Sequence, residues 1–274
     1  MTKNIFLFVL IAFAATSFIK QGPDMIEFGN KHWAKSWSKL NEEAWLQKME
    51  VSNASYQLFL DDLQASGETA KYIACYLDTL GWMKETPDKK PFVSFYFKSS
   101  AFGRYPVVNI SYKAADAYCQ WLTAEYAALK KKSFGEVVFR LPGREEWMRA
   151  ASGGNADDRL YPWNGLYLKN NRGEKLCNYL SDLSGITPAA SETDKKTSYN
   201  QITSVTAPVN SFFPNDLGLY NVCGNVAEMV QEKGVAVGGS YLDAGNKVRI
   251  QSSKTYNESA ADIGFRVLME RKGE

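Results

Sequence analysis

The sequence predicts an α+β domain rich in ordered loops, and three observations carry that expectation. Apolar residues recur with helical and with strand periods in short alternating runs. Residues 153–205 are rich in Gly, Asn, Asp, Ser and Thr and hold neither period for long. Aromatic residues make up 14% of the chain, with seven Trp and fifteen Tyr, and such side chains cover irregular backbone well because each has a large apolar face and a polar tip. The 274 residues, 45% hydrophobic and 23% charged, suffice to bury a large core. Thirty-two basic against thirty acidic side chains leave a formal charge of +2, so no general attraction to nucleic acid or to an anionic membrane is expected.

Residues 1–21 read as a secretory signal: Lys3, an apolar run from Ile5 to Ala15, then small residues. The run is short for a membrane span, so cleavage would release a protein with no integral span, in the periplasm or at the outer membrane. No cysteine follows the run to carry an amino-terminal lipid. Residues 22–44 are expected as an amino-terminal helical extension, because Trp33, Trp37, Leu40, Trp45 and Leu46 are spaced as one helix face. Trp33, Trp37 and Trp45 are its candidate docking residues. The main domain is expected over 45–270.

Within that domain Ser52 or Asn53 caps a helix whose Tyr56, Phe59, Leu60 and Leu63 share one side until Gly67 stops it. Pro106–Ile110 reads as a buried strand. Ser111 caps a second helix with Ala114, Ala117, Tyr118 and Trp121 facing inward. A strand from Val137, the turn Leu141-Pro142-Gly143 and a short helix with Glu146 and Trp147 follow. Short strands are expected at Val235–Val237, Val248–Gln251 and Gly264–Leu268.

The segment from Gly218 to Glu228 combines glycines with oxygen-bearing side chains among apolar residues, as an irregular loop pinned by its own polar groups would. Two readings are open. Asn221, Glu228 and the carbonyls of Gly224 and Val226 converge on a hard cation, or the side chains satisfy buried main-chain groups. The single histidine, His32, excludes any site with two or more His ligands. Cys75, Cys119, Cys177 and Cys223 form no C-x-x-C pair, which argues against a zinc knuckle or a thioredoxin-like site. Export permits disulfides, and free buried thiols are the equal alternative.

The landmarks together resemble the formylglycine-generating enzyme, or sulfatase-modifying-factor, family. They run in the family's order: Glu50-Val51-Ser52-Asn53, Tyr105-Pro106-Val107-Val108, Ala117-Tyr118-Cys119, Arg140-Leu141-Pro142, Glu146-Trp147, Tyr161-Pro162-Trp163, Gly218-Leu219-Tyr220, Gly224-Asn225-Val226 with Glu228, Gly238-Gly239-Ser240 and Ile263-Gly264-Phe265-Arg266. The resemblance implies a loop-rich fold related to C-type lectin-like domains. It implies structural calcium at Asn221, Gly224, Val226 and Glu228, and a second ion at Asn178 and Tyr179 with an acidic ligand expected near Asn200–Thr203, where no clear carboxylate stands.

In the family's oxygen-dependent enzymes two cysteines after Gly-Gly-Ser bind copper(I). Here Tyr241-Leu242-Asp243 follows and no cysteine comes after it, so no copper is expected, since that soft ion calls for thiolate. Ala227 and Met229 replace the tryptophans that usually flank the Glu, and Val267 stands where the usual disulfide partner of Cys119 would be. The resemblance extends to the gliding-motility and type IX secretion lipoproteins K and J of Bacteroidota through Tyr96-Phe97, Ala101-Phe102 and Tyr105-Pro106-Val107-Val108.

The expected function is therefore a non-catalytic exported structural or adaptor protein within an envelope protein complex. An enzyme with altered chemistry in the former cleft, using Ser240, Asp243 and Arg249, is one alternative. A lectin-like module binding glycan or peptide through Tyr161, Trp163 and Tyr167 is the other.

Overall fold

Ser52 accepts a hydrogen bond from the Ser55 amide at 3.2 Å and so starts the first long helix. The computed structural model describes residues 31–85, 89–154, 159–180 and 205–273; the expected signal segment 1–21 and the positions 200–203 lie outside them. Helix α1 (Lys31–Lys35) leads into strands β1 (Trp37–Lys39) and β2 (Ala44–Gln47). Helix α2 (Asn53–Ala65) is followed by three short helices, α3 (Thr69–Cys75), α4 (Gly81–Glu85) and α5 (Lys90–Phe95). The second long helix, α6 (Tyr112–Ala127), starts at Ser111 as expected and is followed by β3 (Val137–Arg140) and α7 (Arg144–Ala151). The remaining strands are β4 (Ala227–Met229), β5 (Val235–Val237), β6 (Ser253–Thr255), β7 (Ile263–Gly264) and β8 (Leu268–Arg271).

The strands form two small sheets. One has the order β1-β2-β8-β3 and is antiparallel throughout; the other has the order β6-β5-β4-β7, with β4 and β7 parallel. Helices α2 and α6 pack their apolar faces into a shared core in which Tyr56 and Tyr118 stack at 5.7 Å and Phe265 meets Tyr118 edge-on at 5.5 Å. All four apolar positions that predicted α2 are buried, whereas in α6 Ala114 and Tyr118 are buried with Ala115, Cys119, Leu122 and Tyr126 while Ala117 and Trp121 are half-buried.

The amino-terminal segment corrects the expectation of a docking helix. Trp37 pairs with Gln47 and Lys39 with Trp45 across a β-hairpin, which β2 then joins to β8. Trp33, Trp37 and Trp45 are only 4%, 7% and 8% exposed, and Trp33 stacks on Tyr126 at 5.3 Å. Their spacing is met by one helical turn running into a strand rather than by a continuous helix. These three side chains are core, and the expected domain boundary at residue 45 falls inside the hairpin.

Two expected strands also differ. Pro106–Ile110 is buried but does not form a ladder: Val107 donates to the Val51 carbonyl at 2.8 Å, and Asn109, at φ 59°, breaks the extended run. Val248–Gln251 is a turn, closed by the Ser252 amide on the Arg249 carbonyl at 3.0 Å, and the strand comes later as β6. Gly264–Leu268 divides between the sheets, with its first part in β7 and its last residue in β8. Arg266 lies in the crossing between them.

Candidate functional site

Arg266 is fully buried in that crossing and is the centre of a polar network. Its Nε and Nη2 donate to the two carboxylate oxygens of Glu228 at 2.6 and 2.5 Å, and it also donates to the carbonyls of Gln47, Lys48 and Tyr220. Trp147 Nε1 gives Glu228 a further bond of 2.6 Å. A charge this deep requires such partners, because burying it unpaired costs far more than the pair returns. The motif residues of four separate segments are thereby tied to one point.

Glu50 continues the network. It accepts from Asn221 Nδ2 at 3.0 Å and from Asn225 Nδ2 at 2.8 Å. Burial pushes its carboxyl up to about 8, with the Glu228 charge adding to the rise and Arg266 opposing it. Asn225 Oδ1 accepts from the Ala207 amide at 2.6 Å and from Asn178 Nδ2 at 3.2 Å. Asn221 and Asn225 both hold left-handed backbone, at φ 52° and 63°, a conformation Asn tolerates better than most residues. Gly224 between them, at φ 76°, lies against the Asn178 carbonyl, which leaves no room for a Cβ. The Gly218–Glu228 segment is therefore a loop whose own side chains hold it to Glu50, Ala207 and Pro208.

A second cluster surrounds Ser240. Its Oγ lies 2.7 Å from Asp243 Oδ2 and 2.9 Å from Asp262 Oδ2. Lys254 pairs with Asp262, and with Asp243 at 3.3 Å. A cleft of about 310 Å³ opens beside it, lined by Gly239, Asp243, Asn246, Lys247, Ser252, Ser253 and Lys254. The structure thus brings Ser240 and Asp243 together, whereas Arg249 is not among the residues lining this cleft. Lys254 is the cation paired with Asp243.

The lectin-like surface residues divide. Tyr161 is buried and stacks on Trp163 at 5.1 Å, whereas Tyr167 is exposed.

The Sulfatase-modifying factor enzyme 1-like domain model matches residues 13–271. The chain belongs to that family. It is 32% identical over 192 residues to the formylglycine-generating enzyme of Thermomonospora curvata, covering 59% of this chain and 54% of that protein. It is 28% identical over 178 residues to a Bos taurus protein named inactive C-alpha-formylglycine-generating enzyme 2, covering 59% of this chain and 49% of that one. The chain thus spans about half the length of these curated relatives. Among solved structures, CarF superposes with a TM-score of 0.51 at 23% identity, covering 84% of this chain and 87% of that one. Treponema denticola variable protein 1 does so at 0.50 and 18%, covering 84% of each. The mixed, loop-rich α+β architecture is that of the family, in keeping with its relation to C-type lectin-like domains.

Copper(I) does not fit the donors present, and calcium meets a competitor for one of its expected ligands. Copper(I) lacks its thiolates, because Asp243 and Lys254 stand at the Gly-Gly-Ser cleft and all four cysteines are buried elsewhere. Calcium at Asn221, Gly224, Val226 and Glu228 meets a different obstacle. Glu228 is the only carboxylate of that set, and both its oxygens are held by a guanidinium and an indole. Asn221 Oδ1, buried with no hydrogen-bond partner among the described residues, is an acceptor a cation would suit. At the other expected ion, the Asn178 carbonyl takes the Asn225 amide at 2.7 Å and the Tyr179 carbonyl takes Lys175 Nζ at 3.5 Å.

Sequence reasoning overlooked Glu50, Asn225, Asp262, Lys254 and Arg266 as site residues. For Arg266 a signal existed: a permanent charge inside the apolar run Gly264-Phe265-Arg266-Val267-Leu268 has to be paired if that run is core. Glu50, between Met49 and Val51, carries the complementary signal.

Proposed function

We propose that this chain is a non-catalytic sulfatase-modifying-factor protein, exported to the bacterial envelope, where it serves as a structural or adaptor component of a protein assembly. One observation carries the reading. After Gly238-Gly239-Ser240, where the resemblance expects copper-binding cysteines, none follows, and Ser240 and Asp243 are bonded instead with Asp262 and Lys254, while Arg266 keeps its buried pair with Glu228. Similarity to a relative whose name marks it as inactive agrees with that. The signal-like residues 1–21 support export. The likeness of Tyr96-Phe97, Ala101-Phe102 and Tyr105-Pro106-Val107-Val108 to the gliding-motility and type IX secretion lipoproteins supports an assembly of that kind. Among the described residues no helix is long and apolar enough to cross a membrane; this reading has the protein attach through protein contacts.

With Trp33, Trp37 and Trp45 in the core, the contact surface has to be elsewhere. The run from α3 to α5 exposes Ile73, Leu80, Met83 and Phe95 at 68%, 60%, 42% and 59%, apolar side chains of the kind that partners cover.

Affinity purification of the tagged protein from its native envelope in mild detergent, followed by mass spectrometry, tests the reading. Stoichiometric recovery of secretion or outer-membrane components, lost on Ile73→Glu with Phe95→Glu, is the expected result. Recovery of the protein alone from a soluble fraction overturns it.

The second reading, an enzyme of altered chemistry, rests on the open cleft beside the Ser240 cluster. A substrate turned over by the wild type and not by Asp243→Asn would favour it. Ser240 itself is fully buried, which is a poor position for a nucleophile.

A further inference from the structure

We propose that Cys177 and Cys223 are joined by a disulfide in the exported protein, tying the segment before Asn178 to the pinned Gly218–Glu228 loop. The two segments are in direct backbone contact one residue further on. The Asn225 amide donates to the Asn178 carbonyl at 2.7 Å, and Gly224 is packed so closely on Asn178 that no side chain fits between them. Cys177 and Cys223 are the residues that immediately precede Asn178 and Gly224. Both line one small cavity, together with Trp163, Asn221 and Val222. Its volume is about 10 Å³, near the lower limit for one water, so little space separates the two thiols, which are unbonded in this structure. The thiols are 2% and 1% exposed, and Cys177 contributes to holding Cys223 protonated, after burial itself. Cys75 and Cys119 pack instead in the core between the long helices.

The chemistry is a thiol–disulfide exchange. One cysteine, as its thiolate, attacks a low-molecular-weight or protein disulfide and forms a mixed disulfide. The second displaces that carrier, so that two protein thiols become one S–S bond and the carrier leaves as two thiols. In the folded protein burial pushes the Cys177 thiol up to about 12 and raises Cys223 as well, and a protonated thiol does not attack. The bond therefore forms while the chain folds, and burial then shields it from reductants.

The proposal rests on the export reading, because such bonds persist in oxidising compartments. Two measurements keep the two apart. The four cysteines lie on four different tryptic peptides, with Cys177 in Leu176–Lys195 and Cys223 in Thr197–Lys233. The full chain is refolded with oxidised glutathione, its remaining thiols are alkylated, and it is mapped without reduction. The linked pair of these two peptides is expected as the dominant cysteine product, with Cys75 and Cys119 alkylated. Cys177→Ala should leave Cys223 alkylated rather than divert it to another partner. Alkylation of both Cys177 and Cys223 in the wild type, or their pairing with Cys75 or Cys119, overturns the proposed bond. The same map is then made from native cells. The linked pair there supports bond and export together, whereas a pair that forms on refolding but is reduced in a cytosolic fraction overturns export and leaves the geometry standing.

Discussion

Two clusters of this molecule have the same inventory, two carboxylates and one cation, and opposite surroundings. Glu50, Glu228 and Arg266 are each 1% exposed or less. Asp243, Asp262 and Lys254 stand at the wall of an open cleft, their side chains 17%, 13% and 29% exposed. In the first cluster every charge is a scaffold commitment, since the low dielectric makes an unpaired member very costly. In the second, water shares the burden, so the residues can change without loss of the fold. A family that keeps its scaffold while changing its chemistry would be expected to vary at the second cluster, and here the cleft follows a Gly-Gly-Ser motif with Asp243 and no later cysteine.

The sharpest way to break that contrast is to remove the cation from each. Arg266→Met strands Glu228 beside Glu50 and should cost about 3–5 kcal/mol, enough to shift the urea midpoint far down or to prevent folding. Lys254→Met should cost about 1 kcal/mol or less, as for partly solvated pairs. Equal losses in the two variants would end the distinction between scaffold and cleft.

Acid–base linkage gives the next effect. The carboxyl of Glu50 is raised from 4.5 to about 8, so between those values the folded protein holds a proton that the unfolded chain has released. Stability contributed by this group is therefore fully present below pH 4.5 and declines as pH rises toward 8. Glu50→Gln, which keeps a neutral side chain at every pH, should flatten that slope in urea titrations across pH 5 to 8. An unchanged slope would mean that Glu50 is ionised throughout, with Arg266 neutralising more than Glu228 alone.

The fold was readable where local chemistry dominates. Ser52 and Ser111 cap the two long helices because a hydroxyl satisfying a free amide acts within one turn. The Gly218–Glu228 segment was readable as an irregular loop from its glycines and asparagines, but its partners Glu50 and Ala207 lie outside it and were not. What escaped depends on contacts between distant segments. The tryptophan spacing of Trp33, Trp37 and Trp45 fits a helix face as well as a helix turn followed by a hairpin, and only the pairing of β2 with β8, from the other end of the chain, decides between them. Lys254 and Asp262 reach Ser240 by the packing of β6 and the segment before β7, which no short motif announces.

The smallest effect expected is that of calcium, and it probes the contrast at its centre. If Glu228 serves Arg266 and Trp147, as its bonds of 2.5 to 2.6 Å indicate, then adding calcium or a chelator should leave the thermal midpoint where it is. A site that bound the ion would be easy to detect, because a ligand at a hundredfold excess over its Kd stabilises the folded state by about 2.7 kcal/mol. In a chain of this size each kcal/mol moves the midpoint by about 2–4 °C. A calcium-dependent rise would require Glu228 to share its carboxylate between the ion and Arg266, with Asn221 Oδ1 as the neighbouring ligand. Asn221→Ala would then have to abolish the rise, and the buried cluster would be an ion site with a guanidinium lid rather than a closed salt bridge.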